Sequence, residues 1–190
     1  SLEVARAEVP QKLPTPIAIP DNVKTTFGTL EFFDGVPTDA TVGKLYDNID
    51  RARAVEVFLD NVGALSVYSV IAGNAGIGLS QPNQIAVAEK LLDSHSLYLT
   101  GNTSTMYSIG HLDLDKYGPT VVEVPPGMLG MLDDAWMRFV GDFGVVGPDK
   151  GKGGKYLVLP PGYAGEVPKG YFVLKAPTFS NWFFMRGSIA

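Results

Sequence analysis

The chain has 190 residues, of which 45% are hydrophobic and 18% are charged, and its net charge at pH 7 is −5. This apolar content is ample for a folded core, so disorder is excluded as the main state, and the length suits one domain or a large part of one. The acidic balance argues against nucleic acid as a partner, and the absence of cysteine excludes disulfides, thiolate nucleophiles and cysteine metal sites.

Residues 1–25 are predicted to form an extended, proline-rich arm. Pro10, Pro14, Pro16 and Pro20 are incompatible with a helix or a central strand. Apolar residues lie between these prolines, so the arm has side chains to bury but no means of folding alone. We therefore expect it to cross an interface in a closed homo-oligomer, with a dimer or trimer favoured.

Residues 26–95 are predicted to be the mainly helical part of the domain. This part opens with an edge strand over Phe27–Phe33, which Asp34-Gly35 closes as a hairpin-type turn. Thr38 or Asp39 then suits the N-cap position of a helix, because a side-chain oxygen there can accept a hydrogen bond from a free backbone N–H.

Two consecutive helical stretches are predicted after this cap. Apolar residues recur from Val42 to Val62 with a spacing near 3.6, which is typical of an amphipathic helix. The stretch Val62–Ile71 is more uniformly apolar and is predicted to be a buried helix. It is shorter than the roughly 20 residues that a bilayer requires, so the sequence predicts no transmembrane segment.

Residues 96–190 are predicted to form a β-sandwich segment of the same domain. Turn residues recur at intervals typical of a sandwich. They separate short apolar runs at Ile85–Ala88, Leu97–Thr100, Thr105–Leu112, Val121–Val124, Trp136–Val140, Tyr156–Leu159, Tyr171–Leu174 and Trp182–Met185. The predicted fold class is α+β, with N-terminal helices packed on an antiparallel β-sandwich. Because the chain stops four residues after Arg186, we expect a natural C-terminal domain beyond Ala190.

Three blocks of sequence carry a family resemblance: Gly28–Thr38, Leu112–Gly127 and Gly147–Gly162. Together they resemble the N-terminal half of a bacterial envelope family catalogued as domain of unknown function 1254. The resemblance covers about residues 26–187, and the chain departs from it at His111, where an aromatic residue is expected. It implies a periplasmic or secreted protein, a jelly-roll-like β core, and domain of unknown function 1214 as a C-terminal partner domain. It implies no agreed activity.

Several charged residues are interpreted as structural. His95 and His111 have acidic neighbours, but polar contacts are the commoner outcome for such residues, and we expect no metal and no cofactor. Asp133 and Asp134 could serve one site as a glycosidase-like pair only outside a strand, since adjacent strand residues point to opposite faces. In a turn they could instead cap Ala135-Trp136.

The glycine-rich stretch that contains Lys150, Lys152 and Lys155 lacks the Ser or Thr that follows Gly-Lys in a phosphate-binding loop. The stretch is compatible with an anion-binding loop or with a solvated hairpin loop, and the hairpin loop is the favoured interpretation.

The preferred candidate site combines uncharged polar residues with arginine. Tyr107 or Asp113 is the candidate general acid or base, and Arg138 would stabilise developing negative charge. Four further residues are candidates for ligand binding: Asn102, Thr105, Trp136 and Arg186. Trp136 and Arg138 are expected to alternate with Val140 on one face of a strand.

These residues favour two classes of function. The first is a metal-independent hydrolase or lyase that acts on a small polar ligand, with a saccharide as one candidate. The alternative is a non-catalytic binding or scaffold protein that assembles into an oligomer. The enzyme is favoured by the cluster of Asn, Tyr, Trp and Arg in the β half, whereas the sequence shows no recognisable nucleophile elbow, triad or metal motif.

Overall fold

The computed structural model describes residues 20–96, 98 and 100–188. The chain divides into two compact units, Ser1–Leu59 and Asp60–Ala190. Residues 1–19 lie outside the described part, so the predicted arm and its role in an oligomer stay predictions.

The first unit contains a small antiparallel sheet and the start of the long helix. Its strands are β1 (Asn22–Thr25), β2 (Gly28–Phe33) and β3 (Val36–Pro37), in the order β1-β2-β3. Asp34 and Gly35 have φ values of 49° and 79°, as a two-residue hairpin turn of the mirror-image type requires. The predicted hairpin is therefore confirmed, but its first strand is not the predicted edge strand, because β2 pairs with β1 on one side and with β3 on the other.

Helix α1 (Asp39–Ala75) begins at the predicted cap. The Thr38 hydroxyl accepts a hydrogen bond from the Thr41 N–H at 3.3 Å, as an N-cap residue does with the third helical residue. The fully buried Thr41 hydroxyl in turn accepts from the Glu31 N–H at 2.7 Å, which ties the helix start to β2.

The second unit contains the rest of α1, a short helix and eight strands. In chain order these are β4 (Ile85–Val87), β5 (Met106–Asp113), α2 (Leu114–Tyr117), β6 (Thr120–Val124), β7 (Leu129–Asp134), β8 (Phe139–Gly144), β9 (Gly154–Leu159), β10 (Phe172–Lys175) and β11 (Ser180–Gly187). Five strands form one antiparallel sheet in the order β4-β5-β11-β7-β8, and three form a second sheet in the order β10-β9-β6.

The two sheets enclose the main hydrophobic core. Phe143 packs edge-to-face against Tyr156, with ring centroids 4.8 Å apart, and edge-to-face against Phe183. All three aromatic residues are at most 1% exposed. They pack among apolar residues contributed by both sheets and by α2: Leu112, Leu114, Val122, Val124, Leu132, Val158 and Met185. The predicted α+β class is confirmed, whereas the jelly-roll connectivity stays a prediction.

The β-strand predictions need four corrections. The sandwich is not wholly antiparallel, because β10 pairs with β9 in parallel. Strand β7 was not predicted, and the predicted strand Trp136–Val140 is wrong in its first half, where a turn joins β7 to β8. The predicted strand Leu97–Thr100 is absent at Tyr98 and Thr100, and Leu97 and Leu99 lie outside the described residues.

The two predicted helical stretches are one helix of 37 residues, and the stretch predicted to be buried is only partly so. Val67 is buried against the five-stranded sheet, but Val62, Leu65 and Tyr68 are exposed. Among the described residues, one helix is long and apolar enough to cross a bilayer. This helix is α1, which has a mean hydropathy of 1.4 over 18 residues. Core helices of soluble proteins and signal sequences can have the same length and composition. The predicted absence of a transmembrane segment therefore stays a prediction.

Gly63 marks the point where α1 meets the turn between β7 and β8. A Cβ atom on Gly63 would lie 2.5 Å from the carbonyl oxygen of Trp136, a distance that real Cβ atoms do not adopt. A Cβ atom on Gly73, also within α1, would have no other atom within 4 Å. Glycine is therefore needed at Gly63 for close packing, and it is not needed at Gly73.

We predict opposite effects for alanine at these two glycines. Gly63→Ala forces the helix and the turn apart, and we expect a net loss of about 1–3 kcal/mol in the free energy of unfolding. Gly73→Ala removes the helix penalty of glycine without a clash, and we expect a gain of about 0.5–1 kcal/mol. Urea unfolding of both variants tests this; equal effects at the two positions would show that the Gly63 contact does not constrain the fold.

Candidate functional site

A cavity of about 480 Å³ lies on the face of the five-stranded sheet that points away from the sandwich core. The three strands β5, β7 and β11 contribute Tyr107, Ile109, Met131, Asp133, Trp182 and Phe184 to its lining, and the edge strand β4 contributes Ala86 and Val87. Val70 of α1 and the residues Leu92, Tyr98 and Met137 contribute further side chains. The cavity thus depends on the second unit alone.

The strand register explains why these side chains meet. His111, Trp182 and Asp133 lie opposite one another on β5, β11 and β7, and form one row across the sheet. The next row along the same face contains Ile109, Phe184 and Met131. Residues directly opposite on antiparallel strands project to the same face, so each row presents its side chains together.

Trp182 contributes a polar group without a partner. Its side chain is buried, with 8% of the residue exposed, and its Nε1–H finds no hydrogen-bond acceptor in the part of the chain that the structure describes. An unpaired buried donor is rare in folded proteins and costs about 1–3 kcal/mol. The indole N–H is therefore a buried donor for which the described residues supply no acceptor.

Asp133 contributes the second open polar group. The residue is 5% exposed, and no hydrogen bond to its carboxyl is found among the described residues. Burial, and secondly the neighbouring Asp134 carboxylate, raise the pKa of Asp133 above its ordinary value. A carboxyl in such an environment binds a proton or a hydrogen-bond donor more readily than a solvated one does.

The Asp134 carboxylate, by contrast, accepts its hydrogen bonds from the turn between β7 and β8. Its Oδ1 accepts hydrogen bonds from the backbone N–H groups of Trp136 at 2.8 Å and Arg138 at 2.9 Å. Met137 between them has a φ of 60°, which reverses the chain. The predicted capping is therefore confirmed for Asp134 at Trp136, whereas the Ala135 N–H donates to the Thr178 hydroxyl at 3.0 Å. The carboxyls of Asp133 and Asp134 thus have different surroundings.

Tyr107 is the predicted catalytic residue that does line the cavity. It is 5% exposed, and its ring lies against that of Phe184 with centroids 4.9 Å apart. Its hydroxyl oxygen accepts a hydrogen bond from the Asn102 N–H at 2.7 Å. Asn102 Oδ1 accepts from the N–H and the hydroxyl of both Ser104 and Thr105. Asn102 and Thr105 thus hold the turn that precedes β5.

The other predicted site residues lie outside the cavity lining. Asp113 caps α2 by accepting from the N–H groups of Asp115 and Lys116. Trp136 and Arg138 are exposed in the β7–β8 turn, so their predicted alternation along a strand is wrong. Arg186 is half-buried and lies opposite Tyr107 on β11. The structure therefore does not bring the predicted acid–base and arginine groups together, and their roles stay predictions.

The two histidines take part in separate polar contacts. His95 is exposed, and its Nδ1 lies 3.6 Å from Asp93. His111 Nε2 lies 2.9 Å from Ser180 Oγ; burial lowers the pKa of His111, and the Asp113 carboxylate partly opposes that shift. Among the described residues, no three His, Asp or Glu side chains are grouped as a metal site would require.

A buried carboxylate, that of Asp149, holds the lysine-rich loop between β8 and β9. The buried Asp149 carboxylate accepts hydrogen bonds from the Gly153 N–H and the Tyr156 hydroxyl. Burial, followed by this hydrogen bond, raises the pKa of Tyr156 to about 12. Lys150 and Lys152 are exposed, which agrees with the favoured hairpin loop.

The sequence did not identify Trp182 as a site residue, and it suggested a role for Asp133 only as a pair with Asp134. The signal for Trp182 was the alternation of aromatic side chains along β11, since Trp182 and Phe184 share one face while Phe183 occupies the other. Asp133 could not be identified without β7, because the carboxyls of Asp133 and Asp134 point apart only if both residues belong to a strand.

A family model described as "Protein of unknown function (DUF1254)" matches residues 82–190. The match covers more than half of the chain. The chain belongs to this family. The predicted family is therefore confirmed, and the match contains the blocks Leu112–Gly127 and Gly147–Gly162 and all strands from β4 to β11. The block Gly28–Thr38 lies outside the matched residues. Domain of unknown function 1214 as the following domain stays a prediction.

The fold has a counterpart among solved structures. The crystal structure of the VPA0106 protein from Vibrio parahaemolyticus matches 70% of this chain and 31% of that chain, with a TM-score of 0.53 and 19% identity. At this identity the likeness concerns the fold alone. The matched part spans less than a third of the Vibrio chain. No curated protein matches this chain.

We predict that the Asp133 carboxyl contributes more to the stability of the fold in acid, where it is protonated, than at neutral pH, where its charge is buried. Because its pKa is raised in the folded state, this contribution is fully present below the ordinary value of 3.8 and is lost as the pH rises through the folded-state pKa. Asp133→Asn should therefore gain stability over wild type as the pH increases from 4 to 7.

Urea unfolding at the two pH values measures this gain. Glu89→Gln is the matched control, because it removes one carboxylate from an exposed position. A stability difference between Asp133→Asn and wild type that is the same at both pH values would contradict the assignment.

Proposed function

We propose that this domain binds a small, largely apolar organic molecule in the cavity on the outer face of the five-stranded sheet. The observation that carries the proposal is the buried Nε1–H of Trp182, which has no partner among the described residues. A ligand that accepts this hydrogen bond removes the cost of the unpaired donor, so the site gains more from being filled than an ordinary apolar groove does.

The size and lining of the cavity support this proposal. Its volume of about 480 Å³ lies within the range of roughly 300–1,000 Å³ that is typical of small-molecule sites. The lining is mostly aliphatic and aromatic, with few polar groups. Such sites bind by apolar contact and use their few polar groups for orientation.

The cavity favours a less polar ligand than the one expected from the sequence. A saccharide carries many hydroxyl groups and requires many hydrogen-bond partners, whereas the sheet supplies the open groups of Trp182 and Asp133. The hydroxyl oxygen of Tyr107 already accepts the Asn102 N–H. An apolar molecule with one polar head is the better match, and the proposal follows the non-catalytic alternative of the sequence analysis. The hydrolase or lyase stays a prediction.

Three features of the whole protein remain proposals that rest on the sequence alone. Export to the periplasm or cell exterior follows from the family resemblance. A C-terminal domain in the same polypeptide and a homo-oligomer joined by the proline-rich arm follow from the resemblance and from the composition of residues 1–25.

We predict that filling the cavity abolishes ligand binding. Ala86 lines the cavity on the edge strand β4, so Ala86→Phe places a ring in the space that the ligand requires. The matched control is Val121→Phe, which adds the same ring at an exposed position on β6. Both variants are made in a Trp136→Phe background, where Trp182 is the tryptophan that remains.

The measurement is Trp182 fluorescence during titration with toluene and with 1-octanol. We expect a saturable change in the background protein and in Val121→Phe, and none in Ala86→Phe. Ligand should also raise the melting temperature of the proteins that bind it. If Ala86→Phe melts cooperatively and still gives the saturable change, the molecule binds elsewhere and the proposal fails.

A further inference from the structure

We infer that the cavity selects a ligand whose polar head is uncharged and both accepts and donates a hydrogen bond, with an apolar alcohol or phenol as the simplest class. The inference rests on the proposed function and adds the chemical class of the ligand. It is drawn from the pairing of Trp182 with Asp133 in one row of the sheet.

The register places these two side chains next to each other. Trp182 on β11 lies directly opposite Asp133 on β7. Side chains at directly opposite positions share a face, and their Cβ atoms are about 4.5–5.5 Å apart. The Trp182 Nε1–H is unpaired within the described residues, so it does not donate to the Asp133 carboxyl. One ligand atom located between the two side chains is able to reach both.

The two groups have complementary but different requirements. The indole N–H is a donor only, whereas an ionised carboxylate is an acceptor only. A hydroxyl oxygen accepts from Trp182 while its proton is donated to Asp133. If Asp133 is protonated, its O–H donates to the same hydroxyl oxygen, so the hydroxyl fits either state of the carboxyl.

Other head groups leave part of this pair unsatisfied. A ligand carboxylate would bring a second negative charge beside Asp133, where a low dielectric strengthens the repulsion. A ligand ammonium would attract Asp133, but it cannot accept from Trp182 and must lose its hydration in an apolar cavity. A hydrocarbon leaves both groups without a partner. The hydroxyl is therefore favoured over all three.

The remaining lining determines the body of the ligand. Ile109, Met131 and Phe184 form the next row of the sheet, and Val70 and Leu92 lie across the cavity from other segments. These side chains offer apolar contact without further donors or acceptors, so the ligand carries its polar group at one end.

Isothermal titration calorimetry of the protein at pH 7 with three molecules of equal chain length tests this inference. The molecules are 1-octanol, octanoate and octylamine. We expect 1-octanol to bind most tightly, by at least tenfold over the other two, because only its head group satisfies both side chains. Tighter binding of octylamine or octanoate would overturn the inference.

Trp182→Phe tests the role of the indole N–H, because it keeps an aromatic ring and removes the donor. We expect 1-octanol affinity to fall by roughly threefold to tenfold, the size of one net hydrogen bond. Trp136→Phe makes the same change at an exposed position and should leave the affinity unchanged. Equal affinity in Trp182→Phe and wild type would exclude the proposed hydrogen bond.

Asp133→Asn supplies a second test that does not depend on the folding of Trp182→Phe. Its amide removes the charge and can both accept and donate, so 1-octanol binding should persist while the discrimination against octanoate decreases. Undiminished discrimination would contradict the role of Asp133. If all three molecules bind equally and Ala86→Phe abolishes their binding, the proposed function stands and this inference fails. If Ala86→Phe changes no binding, the proposed function itself fails.

Discussion

Strand β11 is the element on which both the core and the cavity depend, because it is paired on both edges and covered on both faces. Its edges pair with β5 and β7 over six or more residues each. On one face Phe183 and Met185 enter the sandwich core, and on the other Trp182 and Phe184 form the floor of the cavity. A shift of one residue in its register would exchange the two faces.

This alternation separates two kinds of polar group that adjoin one another in sequence. Asp134 points away from the cavity and its carboxylate is held by two backbone N–H groups of the turn. Asp133 points into the cavity, where burial and its neighbour raise its pKa and no described residue donates to it. The first carboxylate stabilises the turn that meets Gly63 of α1. The second is expected to lower the stability of the fold at neutral pH, and carboxyls with a perturbed pKa occur often at functional sites.

Local periodicity predicted much of the fold but little of the site. The hairpin at Asp34-Gly35 and the strands β5, β9 and β11 follow from turn residues and apolar runs that each act over a few residues. Strand β7 was missed because a glycine and two acidic residues interrupt its apolar pattern, and the Trp136–Val140 prediction failed because Met137 adopts a φ of 60°. The pairing of Trp182 with Asp133 depends on the register between distant strands, which local pattern cannot supply.

The exposed apolar surface of α1 specifies its partner less narrowly than the cavity specifies its ligand. Val62, Leu65 and Tyr68 leave part of α1 apolar and exposed, but such side chains can be covered by any apolar partner and do not specify one. The cavity adds the Trp182 donor and the Asp133 carboxyl, and hydrogen bonds have direction as well as strength. Two unmet polar groups on an apolar floor therefore restrict the occupant to molecules with a matching head. For this reason we base the proposed binding site on the row that contains Trp182 and Asp133, and not on the more extensive apolar surface of the helix.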